Sequence, residues 1–220
     1  MSSQPHTPPA DVEPDERPQR RREYSGGLQT LGLAALIVLV VGFAIWWFEL
    51  REGDGAEIRT EGYGLVDLPD ELNPTGREPS SDVGRAAPNF LLQGYPGGEV
   101  SLTDYRGKWV LVNFWASWCP PCRQETPLLQ SFANEHADRL VVIGVNQQEP
   151  SSVAGEFVDE YGVTYPIALD LTGEVSVAYR VSRGGLPATL LIDPEGVIRE
   201  IHPGQIRRED LEELAAEYLQ

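Results

Sequence analysis

Cysteine is almost missing from these 220 residues: there are two, Cys119 and Cys122. That scarcity excludes a framework of structural disulfides, and a cysteine-built zinc module as well, because a structural zinc site needs four ligands. Histidine is nearly as rare, and His6, His136 and His202 show no ligand spacing. Bases are outnumbered, 17 Lys and Arg against 34 Asp and Glu, for a formal net charge of −17. This acidity argues against nucleic acid and against adhesion to anionic lipid, and leaves the substrate open. No internal repeat is visible.

What is present centres on Trp118-Cys119-Pro120-Pro121-Cys122. The chain holds no other thiol for this pair to bond, so its own chemistry is the economical reading of the protein's purpose. Trp109–Trp115 is a run of β-branched and aromatic residues with the pattern of a buried strand. After the motif, Leu128, Leu129 and Phe132 recur at helical spacing. Cys119 is therefore expected at the start of a helix that springs from a strand. Unpaired amide hydrogens and the positive end of the helix dipole converge there, and both favour a thiolate. Pro120 and Pro121 suit a first helical turn, where a missing N–H breaks no internal bond.

Two intervening residues put the cysteines one helical turn apart, close enough for a small disulfide ring. A Cys119 thiolate can attack a partner disulfide, and Cys122 can resolve the mixed disulfide. The prolines also remove two donors that would stabilise the thiolate, which predicts a couple toward the reducing end of its class. An inert structural disulfide is the plainer alternative, and the strand–CxxC–helix context speaks against it.

From about Ala86 onward the chain resembles the membrane-anchored TlpA/ResA type of extracytoplasmic thiol-disulfide oxidoreductase, in the thioredoxin superfamily and related to the AhpC/TSA redoxins. The resemblance covers about three-fifths of the chain. It rests on Ala87-Pro-Asn-Phe90, Val100-Ser-Leu102, Arg106-Gly-Lys108, Asn113 to Cys122, Pro127, Gly185-Leu-Pro-Ala-Thr189 and Leu191-Ile-Asp-Pro-Glu-Gly196, in that order. It implies an α/β fold, thioredoxin-like, with a central mixed sheet flanked by helices, an N-terminal hairpin and a central insertion.

The same resemblance assigns roles. Pro187 matches the cis-proline that lies against the active-site disulfide, with an ordinary trans turn proline as the alternative. Glu125 matches an acidic residue near the cysteines, with a first-turn glutamate favoured by the helix dipole as the alternative. A buried Glu125 would have a raised pKa and could shuttle protons. Asn113 stands where cytosolic thioredoxins carry a buried aspartate; an amide cannot take a proton, so acid–base duty shifts to Glu125. Trp118, Pro120, Pro121, Leu186 and Pro187 are the expected substrate contacts, although simple packing is an equal reading for Trp118. Trp115 reads as core.

Compartment is read from the other end. No charge occurs from Tyr24 to Phe48, long enough for one transmembrane helix. A signal peptide has a shorter apolar region and a small-residue cleavage site, whereas this one ends in Trp46-Trp47-Phe48, an interfacial belt. Arg17, Arg20, Arg21 and Arg22 crowd the N-terminal flank and orient it toward the cytoplasm. The expected plan is a disordered cytoplasmic tail over 1–23, an uncleaved anchor over 24–48, an extended acidic linker over 49–84 and a thioredoxin-like domain over 85–220.

Within that domain, strands are expected at Asn89–Leu92, Val100–Leu102, Leu140–Val145, Pro166–Leu169, Thr189–Ile192 and Val197–Ile201. Helices are expected at Ser151–Tyr161, capped by Ser151 or Ser152, at Glu174–Tyr179 and at Arg208–Leu219.

By resemblance, the function is reduction of disulfides in exported proteins such as apocytochrome c. A transmembrane thiol carrier resembling CcdA or DsbD would be the electron donor, and the dithiol itself would carry the electrons without a soluble cofactor. The alternatives are a dithiol oxidase, which runs the same exchange in reverse, and a Sco-like copper-binding module, for which neither His136 nor His202 is convincingly placed.

Overall fold

The computed structural model describes residues 32, 34–44, 62–181 and 185–220. The chain divides into two compact units, 1–57 and 58–220. In the first, α1 covers 34–44, an apolar stretch whose side chains are exposed. Among the described residues no helix is long and apolar enough to cross a membrane. The rest of the expected 24–48 span, the 1–23 tail and positions 49–61 lie outside the described residues.

The second unit runs β1 (Gly64–Leu65), β2 (Phe90–Tyr95), β3 (Glu99–Ser101), β4 (Trp109–Trp115), α2 (Pro120–Glu135), β5 (Leu140–Gln147), α3 (Ser151–Tyr161), β6 (Ile167–Asp170), α4 (Glu174–Ala178), β7 (Ala188–Ile192), β8 (Ile198–Pro203) and α5 (Arg208–Tyr218). Its eight strands form one sheet in the order β1-β2-β6-β5-β4-β7-β8, with β3 on β2. Strands β4, β5 and β6 are parallel, and α2 and α3 supply the crossovers that parallel neighbours require. The remaining neighbours pair antiparallel, which makes the sheet mixed as expected.

Period-two alternation along β4 sorts the core onto two faces. Val110, Val112 and Phe114 join Phe90, Leu92, Ile143, Val175 and Tyr179 on one. Leu111 and Trp115 join Leu129, Phe132, Phe157, Leu211 and Leu214 on the other, the face covered by α2, α3 and α5. Asn113 has the parity of Leu111 and Trp115, so it points toward α2 rather than to the side of Val112.

Two expectations are corrected. Residues 62–84, read from their charge as extended linker, are tied to the sheet: Gly64 pairs with Leu91, Leu65 with Phe90, and the Val66 N–H reaches the Asn89 carbonyl at 3.1 Å. Charge density hid the pairing because a two-residue strand has no periodicity to read. Helix α3 begins without a serine cap; Pro150 holds the N-cap position and no side chain caps it. Its other end is conventional: Gly162 is left-handed at φ 60°, and the Val163 N–H returns to the Val158 carbonyl at 3.0 Å.

Candidate active site

Strand β4 delivers the chain to the motif, and Cys119 becomes the N-cap of α2. Pro120 and Pro121 occupy the first helical positions, where their fixed φ suits the helix. The first amide they leave available is that of Cys122, which donates to Cys119 Sγ at 3.3 Å. The Arg123 N–H then closes the first turn on the Cys119 carbonyl at 3.2 Å. Cys119 and Cys122 are joined in a disulfide, with S–S 2.00 Å and Cα atoms 5.3 Å apart. Both cysteines are buried, while Trp118 beside them is 52% exposed.

The antiparallel pair Phe114↔Ala188 sets Pro187 across from Trp115, at the end of β4 from which the motif springs. The Leu186–Pro187 bond is cis, as expected. Leu186 packs against the cluster that contains both cysteines. The Pro187 carbonyl is held by the Gly204 N–H at 2.9 Å.

Glu125 lies one turn beyond Cys122 on α2, and its side chain is fully buried. Its Oε1 accepts from Asn113 Nδ2 at 2.8 Å, and its Oε2 from the Ile206 N–H at 2.8 Å. Asn113 also donates to Thr189 Oγ1 at 3.0 Å, across the β4–β7 pairing. Removal from water pushes the Glu125 carboxyl up from the usual 4.5 to about 7, against the pull of the Ile206 N–H and the Asn113 amide. Tyr165 is a neighbour; burial raises its phenol, and the Glu125 charge adds to that. A carboxyl one turn from Cys122 that burial moves to about 7 lies in the pKa range of general acid–base chemistry.

Sequence reasoning missed a second buried carboxylate. Glu149, in the loop between β5 and α3, accepts from the Ser117 N–H at 2.8 Å, the Ser117 hydroxyl at 2.5 Å and Asn146 Nδ2 at 2.7 Å. Its neighbours Gln148 and Pro150 are exposed, so an acidic residue there reads as solvated loop. Thr189 and the backbone of Ile206 were missed too, and a backbone amide leaves no mark in a sequence.

The histidines stay apart from the dithiol chemistry. His136 caps the far end of α2, its ring tilted against Phe132 with centres 4.5 Å apart, a 16-residue helix away from Cys119. His202 Nε2 faces the Gln205 carbonyl at 3.1 Å. Among the described residues no cluster of three or more His, Cys, Asp or Glu is placed to hold a metal ion.

The model of the AhpC/TSA family matches residues 83–201. The chain is 38% identical over 140 residues to "Thioredoxin-like protein YneN" of Bacillus subtilis, covering 62% of this chain and 81% of that protein. It is 40% identical over 131 residues to "Thiol-disulfide oxidoreductase ResA" of Geobacillus kaustophilus, covering 59% and 74%. Among solved structures, a putative thiol:disulfide interchange protein DsbE from Chlorobium tepidum superposes with TM-score 0.57 and 34% identity, over 63% of this chain and 96% of that one. The fold of the second unit is thioredoxin-like.

Proposed function

Because the chain belongs to the AhpC/TSA family, we propose that it is a thiol-disulfide oxidoreductase of the ResA/DsbE type, working outside the cytoplasm on exported proteins. The observation that carries the reading is the Cys119–Cys122 disulfide, closed across the N-cap of α2 and one turn from the buried Glu125. It is an enzyme whose redox group is its own side chains.

In the reducing direction, the Cys119 thiolate attacks a client disulfide. A mixed disulfide forms and one client sulfur leaves as thiolate. Glu125 accepts the proton of Cys122, whose thiolate attacks Cys119 Sγ and expels the second client sulfur. Of the two client thiolates, one takes the Cys122 proton by way of Glu125 and the other a proton from water, so the client gains two electrons and two protons as the Cys119–Cys122 bond is restored. Trp118, Pro120 and Pro121 form the rim of the site, and Leu186 and Pro187 the opposing wall on which a client chain rests. The likeness to ResA makes the haem-attachment cysteines of apocytochrome c the favoured client.

An oxidising compartment would leave the pair oxidised, so electrons are resupplied by a transmembrane thiol carrier resembling CcdA or DsbD. Residues 24–48 anchor the chain with 1–23 in the cytoplasm, and the acidic stretch from 49 leads to the domain outside. Supporting this are the uncharged run Tyr24–Phe48 and the arginines before it, together with the apolar, exposed 34–44 helix.

The test is a competition between insulin and an oxidised apocytochrome c peptide for the reduced protein. Faster reduction of the haem-attachment disulfide is expected. Reduction of neither would remove the oxidoreductase reading, and equal rates would replace cytochrome maturation with general disulfide exchange.

A further inference from the structure

Ser117, two residues before Cys119, has all of its polar groups committed to partners outside the pentapeptide or beyond its cysteines. Its N–H and hydroxyl both bind the Glu149 carboxylate, at 2.8 and 2.5 Å. Its carbonyl accepts from Arg123 Nη1 at 3.3 Å. Arg123 in turn donates to both oxygens of Glu160 at 3.1 Å, with its guanidinium 5.6 Å from the Tyr161 ring centre. Phe157 stacks on Tyr161 at 4.5 Å and on Trp115 at 4.4 Å. The short stretch Ala116–Trp118 is thus clamped from the β5–α3 loop on one side and from α2 and α3 on the other.

Such a clamp is costly if its only purpose is to close a loop. Glu149 is 7% exposed, and among the described residues no Lys, Arg or His pairs with it. Neutral donors alone satisfy it, and a buried carboxylate without a cation is expensive. None of the three steps of exchange uses it, since attack, resolution and proton transfer fall to Cys119, Cys122 and Glu125. What it does hold is one serine by two donors on one residue, which pins the backbone and the χ1 of Ser117 together. Trp118 follows directly, and its side chain stands 52% exposed beside a nearly apolar core. An indole free to turn would bury itself there.

We propose that Glu149 is a positioning residue for disulfide exchange. Acting through Ser117, it holds Trp118 outward as a contact surface for a client polypeptide. This rests on the oxidoreductase reading and extends it to client recognition. Its effect falls on protein disulfides, which need the surface, and not on small disulfides, which need the sulfur alone.

The test compares the full-length protein with Glu149→Gln, Ser117→Ala and Ser117→Thr, using insulin as a protein disulfide and glutathione disulfide as a small one. Glu149→Gln is isosteric but keeps one acceptor oxygen, so the Ser117 N–H and hydroxyl, which reach different carboxylate oxygens, can no longer both donate to it. It should lower kcat/KM for insulin about tenfold, mainly through KM, while glutathione disulfide is reduced within about twofold of the wild-type rate. Ser117→Ala should show the same selectivity to a smaller degree, and Ser117→Thr, which keeps the hydroxyl, should restore insulin reduction. The double change Ser117→Ala, Glu149→Gln should be no slower than Glu149→Gln alone. An unchanged insulin rate in Glu149→Gln would overturn the proposal. So would equal slowing of both substrates in step with loss of folded protein by circular dichroism, which would make the clamp structural only. A wild-type protein inactive on both substrates would instead overturn the oxidoreductase reading.

Discussion

Asn113 Nδ2 donates to Glu125 Oε1 at 2.8 Å, joining the centre of the sheet to the active-site helix. The amide orients the carboxyl without being able to receive its proton. Of this hydrogen-bonded pair only Glu125 titrates, and burial sets it near neutrality.

Exchange rates should consequently bend close to pH 7, where Glu125 passes between its two forms. In Glu125→Gln that inflection should vanish, and the rate above it should fall about a hundredfold, the usual scale of a lost general acid–base group. Stopped-flow reduction of a disulfide across the pH range measures both. An unchanged profile would remove Glu125 from the proton path.

Folding stability carries the same signature with a definite sign. The folded state keeps its Glu125 proton to about pH 7, whereas the unfolded chain loses it near 4.5. The unfolded state then binds fewer protons across that window, so stability falls as pH rises through it, by on the order of 3 kcal/mol. Denaturant melts of wild type should show the loss between those limits, and Glu125→Gln should remove its slope.

The two prolines bear on the potential. Pro121 denies the Cys119 thiolate an amide at the second helical position. Pro121→Ala would return one, stabilise the thiolate and make the couple more oxidising by about 30 mV, for a hydrogen bond of roughly 1.4 kcal/mol. Equilibration with glutathione measures the shift; a change toward more reducing values would contradict it.

Packing behind the site is tight at Gly144 on β5. A Cβ there would lie 2.8 Å from Ile167 Cδ1 and 2.9 Å from Trp115 Nε1. Gly144→Ala should therefore destabilise the domain by about 1–3 kcal/mol and disturb the Trp115–Phe157 stack. Thermal melts and near-ultraviolet circular dichroism read the two effects.

Much of the site was legible because its chemistry is local. Cys119, Cys122 and the prolines sit in five consecutive residues, and the strand before them and the helix after them have strong periodicity. The cis bond at Pro187 and the burial of Glu125 followed the resemblance rather than any pattern in composition. The parts that stayed hidden are those made by tertiary folding. Thr189 and Ile206 meet the site only because β7 pairs with β4 and the chain returns before α5. Glu149 lies 32 residues from Ser117 and looks like one more surface acid in an acidic chain. The strand at Gly64–Leu65 is too short to announce itself beneath ten acids between 49 and 84.

The central claim is that Cys119 attacks and Cys122 resolves, and single-cysteine trapping tests it most directly. Reduced Cys122→Ser and Cys119→Ser proteins are each mixed with insulin, and covalent adducts are resolved on non-reducing gels and mapped by mass spectrometry. A stable mixed disulfide at Cys119 in the Cys122→Ser protein, with little or none in Cys119→Ser, is the predicted result. Adducts that accumulate through Cys122 instead, or in neither protein, would contradict it.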